Sequence, residues 1–357
     1  MATGGDVRAG APGDARRIQG TARRIRGNAR RVGLMGPAAA GLVALFTLIA
    51  VIGFAIRSPQ PHQIPLGVVG PPAEVAQLSA GLTAKAPGAL LLTAFPSEQA
   101  ARAAVDGRSV DGAVILQAGG PQLIVAGGAG PAVSGAITAI IGGAFQAQGT
   151  PLSVETVDAF PAGDPDGLIL FFTVLALLIG SVISGALIGL GRGLTWRSRL
   201  SLLAAYGAAA GLVGMGTASW VAGGYGAGFW SAAGLVALAA AALAVATAAG
   251  ARLLGRPGVA LAALVLVLFD VVSSGGPLGS PMLPGFYRWL AQGMPAGQLY
   301  SAMRGALLFA GAGVGGPLVV LTAWLVGGLA LMAATELIRS PNRRRETRAV
   351  VAAPHPA

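Results

Sequence analysis

Apolar residues in this chain gather into blocks of roughly 20, the number of helical residues that covers a hydrocarbon core of about 30 Å at about 1.5 Å per residue. The blocks fall at Leu34–Ile56, Gly167–Leu190, Leu200–Val221, Phe229–Gly250, Gly258–Ser273 and Gly313–Ile338. The chain as a whole is poor in charge: 54% of its residues are apolar and 10% charged. A soluble domain carries about a quarter charged residues, so a water-soluble globule of this length is excluded. Backbone amides in lipid must be satisfied within the segment, which leaves helices for blocks of this length. The sequence therefore predicts an α-helical polytopic membrane protein of about six transmembrane helices.

Arginine placement sets the predicted orientation. With the N-terminus inside, the cytoplasmic segments hold Arg8, Arg16, Arg17, Arg23, Arg24, Arg26, Arg30, Arg31, Arg192, Arg197, Arg199, Arg252, Arg256, Arg339, Arg343, Arg344, Arg345 and Arg348. Outside remain Arg57, Lys85, Arg102, Arg108, Arg288 and Arg304, an 18-to-6 division of the 24 basic residues. The positive-inside rule then puts both termini in the cytoplasm. The pI of about 11.5 follows from this topology. Because the basic groups sit beside spans without interleaved aromatics, no nucleic-acid partner is expected.

The predicted domains are a basic cytoplasmic tail over 1–33, a first span over 34–56, an extracytoplasmic domain over 57–165, a five-helix membrane domain over 167–338, and a second basic tail over 339–357. In the first tail the heptads ARRIQGT, ARRIRGN and ARRVGLM begin at Ala15, Ala22 and Ala29. They align Ile18, Ile25 and Val32 on one stripe and arginine pairs on another. Two readings stay open: an interfacial helix on anionic membrane lipid, or a disordered basic tail interrupted by Gly20 and Gly27. Gly and Ala fill the spans, which suits close helix packing in lipid and equally suits a GC-rich genome.

Polar residues return between 57 and 165, with strand-like and helix-like stretches in alternation. Strands are predicted at Ile64–Val69, Ala89–Thr93, Gly112–Leu116, Gln122–Ala126 and Leu152–Val157, and helices at Ala73–Ala86, Ser97–Asp106 and Pro131–Gln148. Ser97 is a predicted N-cap with Glu98 in the first turn, and Gly119-Gly120-Pro121 is a hairpin turn. This predicts a small α/β extracytoplasmic domain between spans one and two. The segment 275–312 is too apolar for a solvated loop and too broken by Gly and Pro for a span. Its Phe286, Tyr287, Trp289 and Tyr300 predict short re-entrant helices at the outer interface, with Pro295 and Gly297 at a turn.

Enzyme chemistry finds few footholds. The chain has no cysteine and two histidines, His62 and His355, at opposite ends. That removes thiol nucleophiles, a His-Glu-x-x-His metal helix and a Ser-His-Asp set, so no metal, cofactor or catalytic residue is predicted. Its single lysine, Lys85, precedes Ala86, so the chain lacks a P-loop. ATP-driven work requires another polypeptide. Among the acids, Asp164 and Asp166 precede the second span and read either as helix caps or as a cation or substrate site. Asp270 lies within the fifth apolar block, where a carboxyl group is costly. It is either hydrated at the outer interface or paired with Arg304 across the re-entrant segment.

Two stretches resemble permeases of ABC type-2 exporters, in particular the YhgE/Pip-like branch. One is Phe160-Pro-Ala-Gly-Asp-Pro-Asp-Gly-Leu-Ile-Leu-Phe-Phe172. The other is Ser273-Ser-Gly-Gly-Pro277 with Met282-Leu-Pro-Gly-Phe-Tyr287, Gly293-Met-Pro-Ala-Gly297 and Leu299-Tyr-Ser-Ala-Met-Arg304. The resemblance implies a multi-pass protein of the bacterial plasma membrane, a homodimer or a dimer with a related permease chain. It also implies a separate cytoplasmic ATP-binding subunit docking on Gly191–Arg199, where Arg192, Trp196, Arg197 and Arg199 serve either docking or orientation. A hydrophobic or amphipathic substrate would move outward. The alternative is a non-transporting protein of the same ancestry whose external domain binds an envelope component or partner. A secondary transporter is disfavoured because the spans offer only Asp270 and Glu336 for ion coupling.

Overall fold

The computed structural model describes residues 59–351, preceded by positions 39, 42, 43, 45–55 and 57, with side-chain surroundings described as far as Ile338. The predicted interfacial helix of the N-terminal heptads lies outside the described residues, as does much of the first predicted span. Of that span, a short apolar helix, α1, covers Leu45–Ala55.

Five strands form one mixed sheet: β1 (Ile64–Val69), β2 (Leu90–Ala94), β3 (Gly112–Ile115), β4 (Gln122–Ala126) and β5 (Ser153–Val157), in the order β2-β1-β3-β4-β5. The register pairs Leu66 with Leu92 and, on the other side, with Gly112; both pairings are parallel. Helices α2 (Pro72–Lys85) and α3 (Glu98–Asp106) make the crossovers that such pairings need. The Gly119-Gly120-Pro121 hairpin sets β3 antiparallel to β4, and α4 (Pro131–Gln146) returns the chain to β5 beside β4. The period of two in β1 sends Ile64, Leu66 and Val68 to one face, where they pack with Leu78, Ile137 and Ile141 of α2 and α4. The opposite face packs Ala113 and Ile124 against Ala101 and Val105 of α3. Ser97 caps α3 as predicted, its Oγ accepting from the Ala100 amide at 3.2 Å.

Among the described residues, five helices are long and apolar enough to cross a membrane: Leu168–Leu190, Trp196–Ala222, Gly226–Leu254, Arg256–Leu278 and Gly315–Ile338. The chain is thus a helical multi-pass membrane protein. Its membrane helices are α5 (Leu168–Leu190), α6 (Trp196–Ala222), α7 (Phe229–Leu254), a fourth span built from α8 (Arg256–Ala263), a π-helical stretch (Leu264–Phe269) and α9 (Asp270–Ser273), and finally α12 (Gly315–Val351). Between α9 and α12 stand the shorter α10 (Gly285–Ala291) and α11 (Pro295–Leu308). Helix α12 runs past the predicted end of its span and takes the basic stretch from Arg339 to Arg348 into the same helix.

Helix α7 is the axis, with α5, α6 and α12 packed around it. Glycines make this possible, since in lipid close backbone approach replaces the hydrophobic drive. A Cβ at Gly189 of α5 would meet the Ala248 carbonyl of α7 at 2.8 Å, and one at Gly211 of α6 would meet the Ala237 Cβ at 2.8 Å. Outward faces carry the large apolar side chains expected against acyl chains, among them Leu187, Val213, Trp220 and Trp230.

Candidate functional site

The α10–α11 pair joins the membrane helices to the α/β domain, and the two parts interlock. Met282, ahead of α10, completes the core under α2 and α4, while Phe309, after α11, completes the core on the α3 face. Arginines reinforce this in both directions. Arg108, just past α3 and held at φ 58°, donates to the Ser301 carbonyl at 3.0 Å and the Ser301 hydroxyl at 3.1 Å, with its guanidinium 5.1 Å from the Phe309 ring centre. Arg304 of α11 donates in return to the carbonyls of Gly128 at 3.0 Å and Ala129 at 2.7 Å, and lies 4.9 Å from the Tyr300 ring centre. Each part thus caps carbonyls of the other with a fixed cation. Burial first, then the like charge of Arg304, holds the Arg108 guanidinium down to about 10, so it stays charged at neutral pH, with Asp111 opposing the shift.

Asp270 has a different role from the predicted pairing. Its two carboxyl oxygens accept from the Ala296 amide at 2.8 and 3.0 Å. That amide lies in the opening turn of α11, where first-turn N–H groups have no partner inside the helix. The Asp270–Arg304 ion pair is therefore corrected: the acid caps the start of α11, and the arginine acts further along the same helix on the α/β domain. Nor is Asp270 hydrated, since it is fully buried. Pro295 and Gly297, predicted at a turn, sit in the first helical turn of α11, and a Cβ at Gly297 would lie 3.2 Å from the Ser274 Cα. On the far side, the Trp324 indole of α12 donates to the Gly293 carbonyl at 2.8 Å, fixing the α10–α11 turn.

Asp164 follows the capping reading. It accepts from the amides of Ile169 at 2.9 Å and Leu170 at 3.2 Å, and from the Tyr225 hydroxyl at 2.6 Å. This ties the start of α5 to the α6–α7 turn. Asp166 is exposed.

The predicted docking loop contracts at the other end of the spans. Thr195 caps α6, its Oγ accepting from the Ser198 amide at 3.2 Å, so the helix begins at Trp196 and the loop is left with 191–195. Arg199 turns back to the end of α5 and donates to the carbonyls of Ile188, Gly189 at 3.3 Å and Gly191 at 2.8 Å. It is buried there as a C-terminal cap. Trp196 packs on Leu203, Ala248 and Met332. Of the four residues, Arg192 and Arg197 are exposed. Nearby, buried Arg252 of α7 pairs with Glu336 of α12 and donates to Thr335 at 3.4 Å, which gives Glu336 a helix-joining role.

A polar recess of about 340 Å³ opens beside the interlock, lined by His62, Ser280, Arg288, Gln292, Gln298 and Arg304 among others. Sequence reading missed it, along with Arg108, because its walls come from β1's approach, α10 and α11, segments more than 200 residues apart. The nearest available signal was a run of Arg, Gln and Ser in an otherwise apolar stretch. Among the described residues no cluster of His, Cys, Asp and Glu suits a metal ion. No family model matches the chain, and neither a curated protein nor a solved structure does.

Proposed function

We propose that this chain is the membrane-spanning subunit of an ABC type-2 exporter, driven by a separate cytoplasmic ATP-binding subunit and dimeric with itself or a related permease. In this reading it lies in a bacterial plasma membrane, with the termini inside and the α/β domain outside, and passes a hydrophobic or amphipathic substrate outward. The observation that carries the reading is the α10–α11 pair. It stands between the last two spans, in the stretch that carries the resemblance to the YhgE/Pip-like branch, and it is gripped by both the membrane helices and the external domain. Movement of the spans would thus reach the domain without a slack tether. At the opposite end, exposed Arg192 and Arg197 offer cationic contacts to a partner, whereas Arg199 and Trp196 are engaged within the fold. The test is co-purification with an ATP-binding subunit whose hydrolysis depends on this chain. Arg192→Glu with Arg197→Glu is expected to abolish the association while leaving the membrane fold intact. Unchanged association would overturn the docking assignment, and export persisting without any ATPase would overturn the exporter reading.

The second reading, a non-transporting protein whose external domain binds an envelope component, draws on the recess at the domain's base. It predicts ligand binding without ATP-dependent export.

A further inference from the structure

We propose that the recess between the approach to β1, α10 and α11 binds a compact oxyanion, a phosphate or carboxylate group, between Arg288 and Arg304. The proposal holds whether or not the chain transports. Its walls supply donors and cations: two guanidinium groups, the Ser280 hydroxyl and the Gln292 amide. No Asp or Glu lines the recess. Asp111, the acid whose field reaches Arg304, forms no hydrogen bond or ion pair with it.

The decisive detail is unused donor capacity. The Nε atoms of Arg288 and Arg304 are both buried and both lack a hydrogen-bond partner. Arg304 spends Nη1 on two carbonyls, whereas the Arg288 side chain makes no hydrogen bond or ion pair with any described residue. A guanidinium N–H withdrawn from water without an acceptor costs about 1–3 kcal/mol, and more for a charged group. An oxyanion between the two arginines supplies acceptors for the Nη groups of Arg288 and for Nη2 of Arg304, none of which bonds to a described residue, and it suits a planar fork. A cavity of this size holds a phosphate with room for a glycerol or sugar unit. Phe286 and Trp289, which flank Arg288 on α10, are exposed at 57% and 67%. They offer an apolar surface to any hydrocarbon attached to the anion, so the oxyanion has two possible sources, a lipid headgroup or free phosphate.

Calorimetric titration of the purified full chain in phosphatidylcholine nanodiscs separates them. The probes are inorganic phosphate and dihexanoyl phosphatidylglycerol below its micellar concentration, with dihexanoyl phosphatidylcholine as control. Saturable binding of either anionic probe is expected, weakened at least tenfold by Arg288→Gln and unchanged by Arg192→Gln in the α5–α6 loop. Equal affinity for both probes assigns a free-anion site, and binding of the lipid alone assigns a headgroup site. Because the Arg288 side chain bonds to no described residue, its variant should unfold at the wild-type temperature, so lost binding reports the site. Absence of saturable binding by both anionic probes, or wild-type affinity in Arg288→Gln, overturns the proposal.

Discussion

Replacing Asp270 by alanine removes both acceptors from the opening turn of α11. The Ala296 amide would be left without a partner in a place the solvent does not reach, since Asp270 itself is fully buried. A buried donor left unsatisfied costs about 1–3 kcal/mol, which is the expected loss. Asp270→Asn keeps one acceptor oxygen and should recover about half of that loss. Arg304→Gln is destabilising for a separate reason, because it releases the carbonyls of Gly128 and Ala129 at the α/β domain. Equilibrium unfolding in mixed micelles by dodecyl sulfate, followed for the wild type, each single variant and the double variant, distinguishes cap from ion pair. Groups in separate networks add to within about 0.5 kcal/mol, so Asp270→Ala and Arg304→Gln are expected to be additive. Coupling above about 1 kcal/mol, or a cost of Asp270→Ala below about 1 kcal/mol, would refute the capping argument.

Further outcomes are open to direct measurement. The chain contains no cysteine, so each introduced one is its sole thiol. Ala118→Cys, at the exposed β3–β4 turn, should react with a membrane-impermeant maleimide in intact cells, and Arg197→Cys only after permeabilisation; the reverse pattern would invert the topology. Arg199→Gln should lower the unfolding midpoint by releasing the carbonyls at the end of α5, with a loss of about 2–4 kcal/mol, whereas exposed Arg197→Gln stays within about 0.5 kcal/mol of the wild type. Acid should weaken the sheet edge. Arg102 holds the Glu155 carboxyl below its ordinary value of 4.5, so the stabilisation is present above that pH and is lost as pH falls through the lower folded-state value. Arg102→Gln should flatten the acid limb of a stability-versus-pH curve only slightly, because both groups are about a third or more exposed.

Much of the architecture was legible in the chain because it rests on local rules. Apolar length marked the membrane helices, and the alternation in Ile64–Val69 marked a strand with one face inward. Ser97 and Gly119-Gly120-Pro121 marked a cap and a hairpin, since a capping oxygen and a tight turn act within a few residues. Asp164 was readable for the same reason, lying just before the helix whose amides it meets. Asp270 was not. Its oddity within an apolar block was plain, and the search for a cation led to Arg304, because a charge in lipid suggests a countercharge. The partner proved to be the Ala296 amide, 26 residues on, available because Pro295 begins a helix whose first free N–H points back at the acid. Arg199 likewise read as one of several loop arginines until the return of α6 beside α5 aimed it at three carbonyls.

The sequence by itself thus determined that the bilayer is this protein's solvent and that an α/β domain is inserted ahead of the main helices. Those conclusions follow from transfer free energy and short-range periodicity, which need no knowledge of distant neighbours. Only the tertiary structure decided which charges cap, which clamp and which remain unspent. Arg108, Arg199, Arg288 and Arg304 are chemically identical, and their roles diverge because long-range packing sets a carbonyl, a ring or a polar recess before each guanidinium.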